Sequence, residues 1–503
     1  MTAPTTTAPA DPSAVAPVAT DGAGTESTPA DAPARERRRR IEPVGPARGR
    51  TGALLATLSL AASSLYLLAG GVGYVLDDWF ALGNAHFGGA WTAAGAEQWR
   101  ARPGAGVTYA FSFGLLEGHP LAAFALLATI GATTAVLFWL LLRRFVPERF
   151  AFVAALVWIV LPNHTSLEFW ISATNIALSV LLVLAGTLVV LTPSTRRIAV
   201  GCLLFAAASL SYEAVMPIIA ALVVVLPWLL RGRPDVKAVA SVGVTQVAVA
   251  AWIVSHWHSG KALGGTVDLS QVPAAHFGWG VLPVGPVATL AMLLVLVVLT
   301  AHVARLLTRR STCGPVEWAV PVGLVVIALG VLPFVRYLYA PLGAGDRFNV
   351  VSSFGGAILW AVVFETLRRV RRELAVGAFA VVLAFGLATR WDRSQLWSDA
   401  ASDGVAIQAA ALDQVPVPGD HAIVVGPKPV QIENIAVFLD PTNIQPALQL
   451  AYGDESVRAY MATTVEEFDS TPAAERVDTT GVTRLGTRCN AILRAVDGCA
   501  NRP

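Results

Sequence analysis

Two adjacent carboxylates, Asp77-Asp78, stand directly after the first long apolar run and are followed by Trp79-Phe80. A carboxylate at a membrane boundary must stay hydrated or paired, so its presence there has a cost. On a helix, neighbouring residues point about 100° apart, which keeps these two from sharing one role. One of them can face a cavity as a base while the other caps a helix or binds a cation. The plainer alternative is a solvated helix end with an aromatic anchor at the interface. Further on, Leu161-Pro162-Asn163-His164 is followed by Glu168, Trp170 and Asn175, and another apolar run ends in Ser211-Tyr212-Glu213. A later segment carries Arg336, Tyr337, Tyr339 and then Asp346-Arg347-Phe348. His164 alone also reads as an interface histidine, and Glu213 as a loop carboxylate, although the very short loop around Glu213 favours burial in protein. Arg336 and Arg347 lie on the face where basic residues are scarce, so something outside must pair with them. A phosphate suits that role, because a guanidinium grips it with two parallel hydrogen bonds.

The elements that must position these residues are membrane helices. The chain has 503 residues, 55% hydrophobic and only 14% charged, with a mean hydropathy of +0.60. A soluble domain needs more surface charge than that, and a net charge of +2 gives no footing for nucleic acid. Apolar runs near 53–76, 119–142, 150–163, 173–192, 198–212, 214–230, 238–257, 281–303, 317–335, 348–367 and 374–390 predict an α-helical polytopic membrane protein of about eleven spans. With the N-terminus in the cytoplasm, the dense basic clusters between spans (Arg143-Arg144, Arg196-Arg197, Arg231 to Lys237, Arg305 to Arg310 and Arg368 to Arg372) all fall on the inner side. An odd number of spans then puts the C-terminus outside.

The flanks differ in kind. Residues 1–50 are rich in Ala, Pro and Thr and hold the run Arg37 to Arg40, which predicts a disordered basic cytoplasmic tail rather than a signal peptide. The transmembrane domain is expected over 51–390. The first outer loop has amphipathic stretches at 84–100 and 107–117, expected to lie along the outer interface. From Trp391 onward a polar tail of about 110 residues predicts a small extracytoplasmic α/β domain over 391–503, with a strand near 421–426 and a helix near 442–451. Cys202 reads as a small buried hydrophobe, Cys313 faces the cytoplasm, and Cys489 and Cys499 would close a short disulfide loop if their segment lies outside. No metal-ligand set is read.

In this order and on this side of the membrane, the motifs resemble the GT-C superfamily of membrane glycosyltransferases, in the branch that includes protein mannosyltransferases. The matching features are Asp77-Asp78 after the first span, Trp99-Arg100-Ala101-Arg102-Pro103 with Tyr109 and Gly118-His119-Pro120, Pro162-Asn163-His164 with Glu168 and Trp170, and Asp346-Arg347-Phe348 with Ser353 and Gly355. The resemblance covers roughly 53–370; the branch often has a basic residue where Tyr212 precedes Glu213 here. It implies a multi-pass protein of the inner (plasma) membrane that passes a sugar from a polyprenyl-phosphate donor to a glycan, lipid or protein acceptor at the outer face, inverting the anomeric centre. Asp77 or Asp78 would be the base, with Arg347, Arg102 and Arg336 at the lipid phosphate, and His164, Glu168 and Glu213 around the substrates. A divalent cation is compatible with this scheme but not required by it. The rival readings are a secondary transporter or lipid flippase, a polysaccharide polymerase or ligase, and a non-catalytic relative. A transporter predicts repeats and charges at mid-membrane, whereas the charges here gather at helix ends.

Overall fold

The computed structural model describes residues 49–484 apart from 193, 230–235, 257–270, 279–284, 310–313, 335–342, 427–434, 436, 439–440, 463 and 483. The basic tail, Arg336, Cys313, Cys489 and Cys499 lie outside the described residues. Each of the eleven apolar runs contains a helix. In chain order the helices are α1 Gly49–Leu68, α2 Asp77–Gly88, α3 Gly95–Ala101, α4 Pro103–Tyr109, α5 Pro120–Leu142, α6 Glu148–Val160, α7 Ser166–Phe169, α8 Thr174–Val190 and α9 Thr195–Ser211. They continue with α10 Met216–Leu229, α11 Val236–His256, α12 Gln271–Phe277, α13 Gly285–Thr308, α14 Pro315–Val331, α15 Ser352–Val370, α16 Arg372–Gln414, α17 Pro441–Tyr452 and α18 Val465–Ser470. Among the described residues, seven helical segments are long and apolar enough to cross a membrane, so the chain is a multi-pass membrane protein.

Local chemistry sets where the helices begin and end. The first ends at Leu68, well short of the run expected to reach 76, because Gly70 and Gly71 take φ of +141° and +114°. Pro162 similarly ends α6 at Val160, two residues upstream. Pro120 occupies the first turn of α5, where its missing N–H costs nothing. The Ser194 hydroxyl caps α9 by accepting the Arg197 N–H at 3.3 Å.

Helices α14 and α15 meet through small residues, as membrane helices do when backbones pack closely. A β-carbon at Gly355 would stand 2.4 Å from the Gly323 carbonyl oxygen, and one at Gly330 would stand 2.4 Å from the Ser352 nitrogen. This contact fixes the start of α15, and with it the short helical segment Gly343–Asn349 that carries Asp346 and Arg347. At the opposite end of α15, Glu365 takes Arg149 at 3.1 Å and Arg368 at 2.8 Å, while Arg369 reaches Glu317 at 2.7 Å.

The segment between α1 and α5 folds as α2, α3 and α4, then widens into a π turn over Ala110–Leu115. Trp91, Val107, Phe111 and Leu115 are exposed along it, as an element lying on a membrane interface would require. The domain boundary expected at 391 falls inside α16, which runs unbroken for 43 residues. Beyond it, three short parallel strands, β1 Ile423–Gly426, β2 Ala459–Met461 and β3 Arg476–Asp478, form a sheet in the order β2-β1-β3. Val424 pairs with Tyr460 on one side and Arg476 on the other. The expected strand and helix are therefore present. Their packing is closer than a tethered domain implies, because α17 lies on α2: a β-carbon at Gly83 would stand 2.7 Å from the Pro446 Cβ. The Tyr452 hydroxyl ties α17 to the end of α16 by donating toward the Ala411 and Val415 carbonyl oxygens, at 2.8 and 2.7 Å.

Candidate functional site

The acid pair opens α2, and its two members have opposite surroundings. Leu76, just before them, is a non-glycine residue at φ +54°, and its N–H donates to the Val437 carbonyl at 3.1 Å. Backbone strain of this kind persists only where surrounding contacts hold it; here the C-terminal region supplies one. Asp78 is fully buried. Its Oδ2 accepts the Val75 N–H at 3.1 Å, and its Oδ1 accepts the Ser172 N–H at 2.8 Å and the Ser172 hydroxyl at 2.5 Å. Burial pushes this carboxyl up to about 7 against the pull of those donors. Asp77 is half-buried, and among the described residues its Oδ1 meets the Asn443 amide of α17 at 3.4 Å.

A second buried carboxylate is held by the same stretch of chain that holds Asp78. Asp346 accepts the Thr165 N–H and hydroxyl at 2.6 and 2.7 Å through Oδ2. Through Oδ1 it accepts the Ser166 N–H at 2.9 Å and the Ser166 hydroxyl. Burial again dominates, raising it to about 6. The turn between α6 and α8 therefore grips Asp346 at residues 165–166 and Asp78 at residue 172. Each gripped carboxylate is the sequence neighbour of a side chain that is only partly buried, Arg347 in one case and Asp77 in the other.

The Arg347 guanidinium lies over the Trp170 ring at 5.3 Å and the Phe348 ring at 5.5 Å. Among the described residues no carboxylate forms an ion pair with it. Burial raises the Tyr109 phenol, the Asp77 and Asp78 charges act in the same direction, and the Arg347 charge opposes them. The contact common to both sides is the turn between α6 and α8, through Ser172 to Asp78 and through Trp170 to Arg347.

The remaining predicted residues are placed around this core. Arg102 forms an ion pair with Glu213 and covers the Tyr212 ring at 5.7 Å. Tyr212 continues to Phe334 at 6.4 Å and Phe334 to Phe348 at 4.5 Å, so an aromatic path joins that pair to Arg347. Glu168 is buried and accepts from the Arg390 guanidinium at 2.9 Å. His164, fully buried, stacks on Trp158 at 4.8 Å and lies 3.6 Å from Glu168. Burial holds His164 well below the ordinary histidine range, so it is neutral and meets Asn163 at 3.1 Å. Asn163 passes the chain of contacts to His276 at 2.8 Å, itself lowered to about 3 by burial. His164 and Glu168 therefore belong to one buried polar network with Asn163, His276 and Arg390. The structure holds Asp78 at Ser172 and Arg347 over Trp170 on one turn, pairs Arg102 with Glu213, and does not describe Arg336.

Sequence reasoning passed over Thr165, Ser166, Ser172, Asn443 and Arg390 as site residues. Arg390 carried a signal, being a charge at the outer end of the last apolar run; the hydroxyl residues carried none. Among the described residues no group of three or more His, Cys, Asp and Glu stands together as a metal site. Both Asp78 oxygens are occupied by donors, so only Asp77 of the adjacent pair has oxygen to spare for a cation.

No protein-family model matches the chain, and no curated protein matches it. Among solved structures it is similar to the crystal structure of ArnT from Cupriavidus metallidurans bound to undecaprenyl phosphate. The identity is 11% and the TM-score 0.46, over 90% of this chain and 96% of that one. A likeness at that level assigns no residue a role.

Proposed function

We propose that this chain is an inverting membrane glycosyltransferase that moves a sugar from a polyprenyl-phosphate donor to a glycan, lipid or protein hydroxyl at the outer face of the plasma membrane. The observation that carries this reading is the turn between α6 and α8, which holds Asp78, the neighbour of the half-buried carboxylate Asp77, at Ser172, and whose Trp170 lies under Arg347, a guanidinium with no carboxylate partner among the described residues. The order of acidic, Arg-Pro, Pro-x-His and Asp-Arg motifs, which resembles that of the GT-C superfamily, supports it. So does the sorting of basic clusters, which argues for eleven crossings with the N-terminus inside and the C-terminus outside.

A hydroxyl is a weak nucleophile, so Asp77 takes its proton as it attacks the anomeric carbon. The bond between that carbon and the phosphate oxygen breaks on the opposite face, which inverts the centre. Charge gathering on the leaving lipid phosphate is met by Arg347, already fixed over Trp170. Arg102 adds to that field only in part, because Glu213 engages it. Asp78 acts as a positioning residue, since its oxygens are committed to Val75 and Ser172. Glu168 and His164 stay within the buried polar network. No cation is needed in this scheme.

The test is transfer from a panel of radiolabelled polyprenyl-phosphate sugars in membranes. Asp77→Asn and Arg347→Ala are each expected to lower transfer by at least about 100-fold, the scale of one general base or one oxyanion donor. Full activity in Asp77→Asn would sink the assignment.

A further inference from the structure

A cavity of about 280 Å³ is walled by Tyr74, Trp79, Leu82 and Glu117 of the segment between α1 and α5 and by Gln408 of α16 and Leu450 of α17. Neither Arg347 nor any other Lys or Arg is among its lining residues. Its aromatic wall is Tyr74 set edge-to-face on Trp79 at 5.8 Å. The Trp79 Nε1–H is buried and has no hydrogen-bond partner. That nitrogen lies 3.4 Å from where a β-carbon on Gly404 would be, one turn before Gln408 on the same helix. The Gln408 Nε2 donates to the Ala447 carbonyl at 2.8 Å, which orients the amide and leaves its carbonyl oxygen as an acceptor. Glu117 supplies a carboxylate, held at the rim by His86 at 2.5 Å through Oε1.

An aromatic wall and two acceptors suit a ring with apolar C–H faces and a hydroxyl edge. The volume is at the small end for ligand sites. The charged side chain in the lining is the Glu117 carboxylate, which repels a phosphate, so the neutral ring is favoured over the lipid-phosphate donor and sugar nucleotides. We infer that this cavity between the α1–α5 segment and the C-terminal region is a second site, binding one neutral sugar ring. Binding is read without turnover, so this inference stands or falls apart from the transfer reading.

The experiment is saturation-transfer NMR on the full chain in lipid nanodiscs, which avoids competition from glycoside detergents. The probes are methyl α-mannopyranoside, methyl β-glucopyranoside, methyl β-galactopyranoside and methyl α-arabinofuranoside, with glucose 6-phosphate as the charged control. At least one neutral probe is expected to receive saturation, and glucose 6-phosphate is not. Gln408→Ala and Glu117→Gln are each expected to weaken binding about 10-fold, the scale of one net hydrogen bond. Leu450→Trp should abolish binding by filling the cavity; Ala451→Leu fills it more gently and replaces that variant if its elution profile shows misfolding. Asp77→Asn should bind the probe as wild type does while losing transfer. No saturation of any neutral probe in the wild type would overturn the inference. So would a signal unchanged by filling the cavity, or a preference for the phosphorylated sugar.

Discussion

Asp77 and Asp78 differ by one position and by almost everything that decides what a carboxylate can do. Asp78 has three donors on it and lies away from solvent, yet desolvation outweighs them and its pKa rises from 3.8 to about 7. In the unfolded chain the group ionises near its ordinary value, so between about pH 4 and pH 7 the folded state holds the extra proton. This contribution to stability is therefore full at low pH and falls as pH rises through that window, by up to roughly 4 kcal/mol. Asp346 acts in the same sense up to about 6, and His276 in the opposite sense, because its folded value is lowered to about 3. The comparison that isolates Asp78 is thus between the wild type and Asp78→Asn. Thermal midpoints of the two in nanodiscs, taken from pH 4 to 8, are expected to converge at the acid end and diverge toward neutrality. A constant offset would contradict the burial argument. Ser172 makes a related test: Ser172→Ala removes a hydroxyl donor from Asp78, which is expected to cost about 1–3 kcal/mol and to lower kcat with little change in KM. Ser172→Thr, which keeps the hydroxyl, should restore most of the rate.

At the scale of elements, the turn between α6 and α8 works as a spacer, fixing Asp346 at one end and Asp78 at the other. Because each is the neighbour of a proposed reacting-site residue, the turn sets the gap between base and phosphate cation. Thr165→Val combined with Ser166→Ala keeps the Arg347 side chain itself but loosens the grip on Asp346 that positions it. Transfer is expected to fall at least about 10-fold, with the loss in kcat rather than in donor binding; an unchanged kcat would show that Arg347 is positioned by something else. Much of this was legible in the sequence. The eleven apolar runs predicted helices, and the motif residues drew attention to 77–78, 163–170 and 346–348 before any contact was known. The hydroxyl donors were not legible, since a serine or threonine near an apolar run is ordinary and only the fold puts Ser172 beside Asp78. The continuation of α16 past 390 was also hidden, because Arg390, Asp392 and Arg393 end the hydropathy signal without ending the helix.

Among the described residues, the membrane helices and the C-terminal region share one continuous hydrophobic core, which runs from Leu55 through Trp79 to Leu448. The contact of α17 on α2 is part of it, and Gly83 is where it is tightest. Gly83→Val is expected to push α17 away from the acid pair, lowering the thermal midpoint and transfer together. An unchanged midpoint with lost transfer would indicate a local rather than a global effect.

The unbroken course of α16 has a mechanical side. At 1.5 Å per residue its 43 residues make a rod about 65 Å long, while the hydrocarbon it crosses is only about 30 Å thick. Roughly half the rod therefore projects beyond the bilayer, with no joint at which bending could relieve a change in tilt. A membrane helix responds to thinner or thicker lipid by tilting, and a lever of this length magnifies that tilt at its far end. There Tyr452 clasps the rod to α17, and α17 bears on the helix that starts with Asp77. Acyl-chain length should accordingly act on the rate through this rod. In vesicles of matched headgroup, turnover is expected to pass through an optimum as chains lengthen from 14 to about 22 carbons. Inserting two glycines near Asp392 would supply a joint, and the optimum should then broaden.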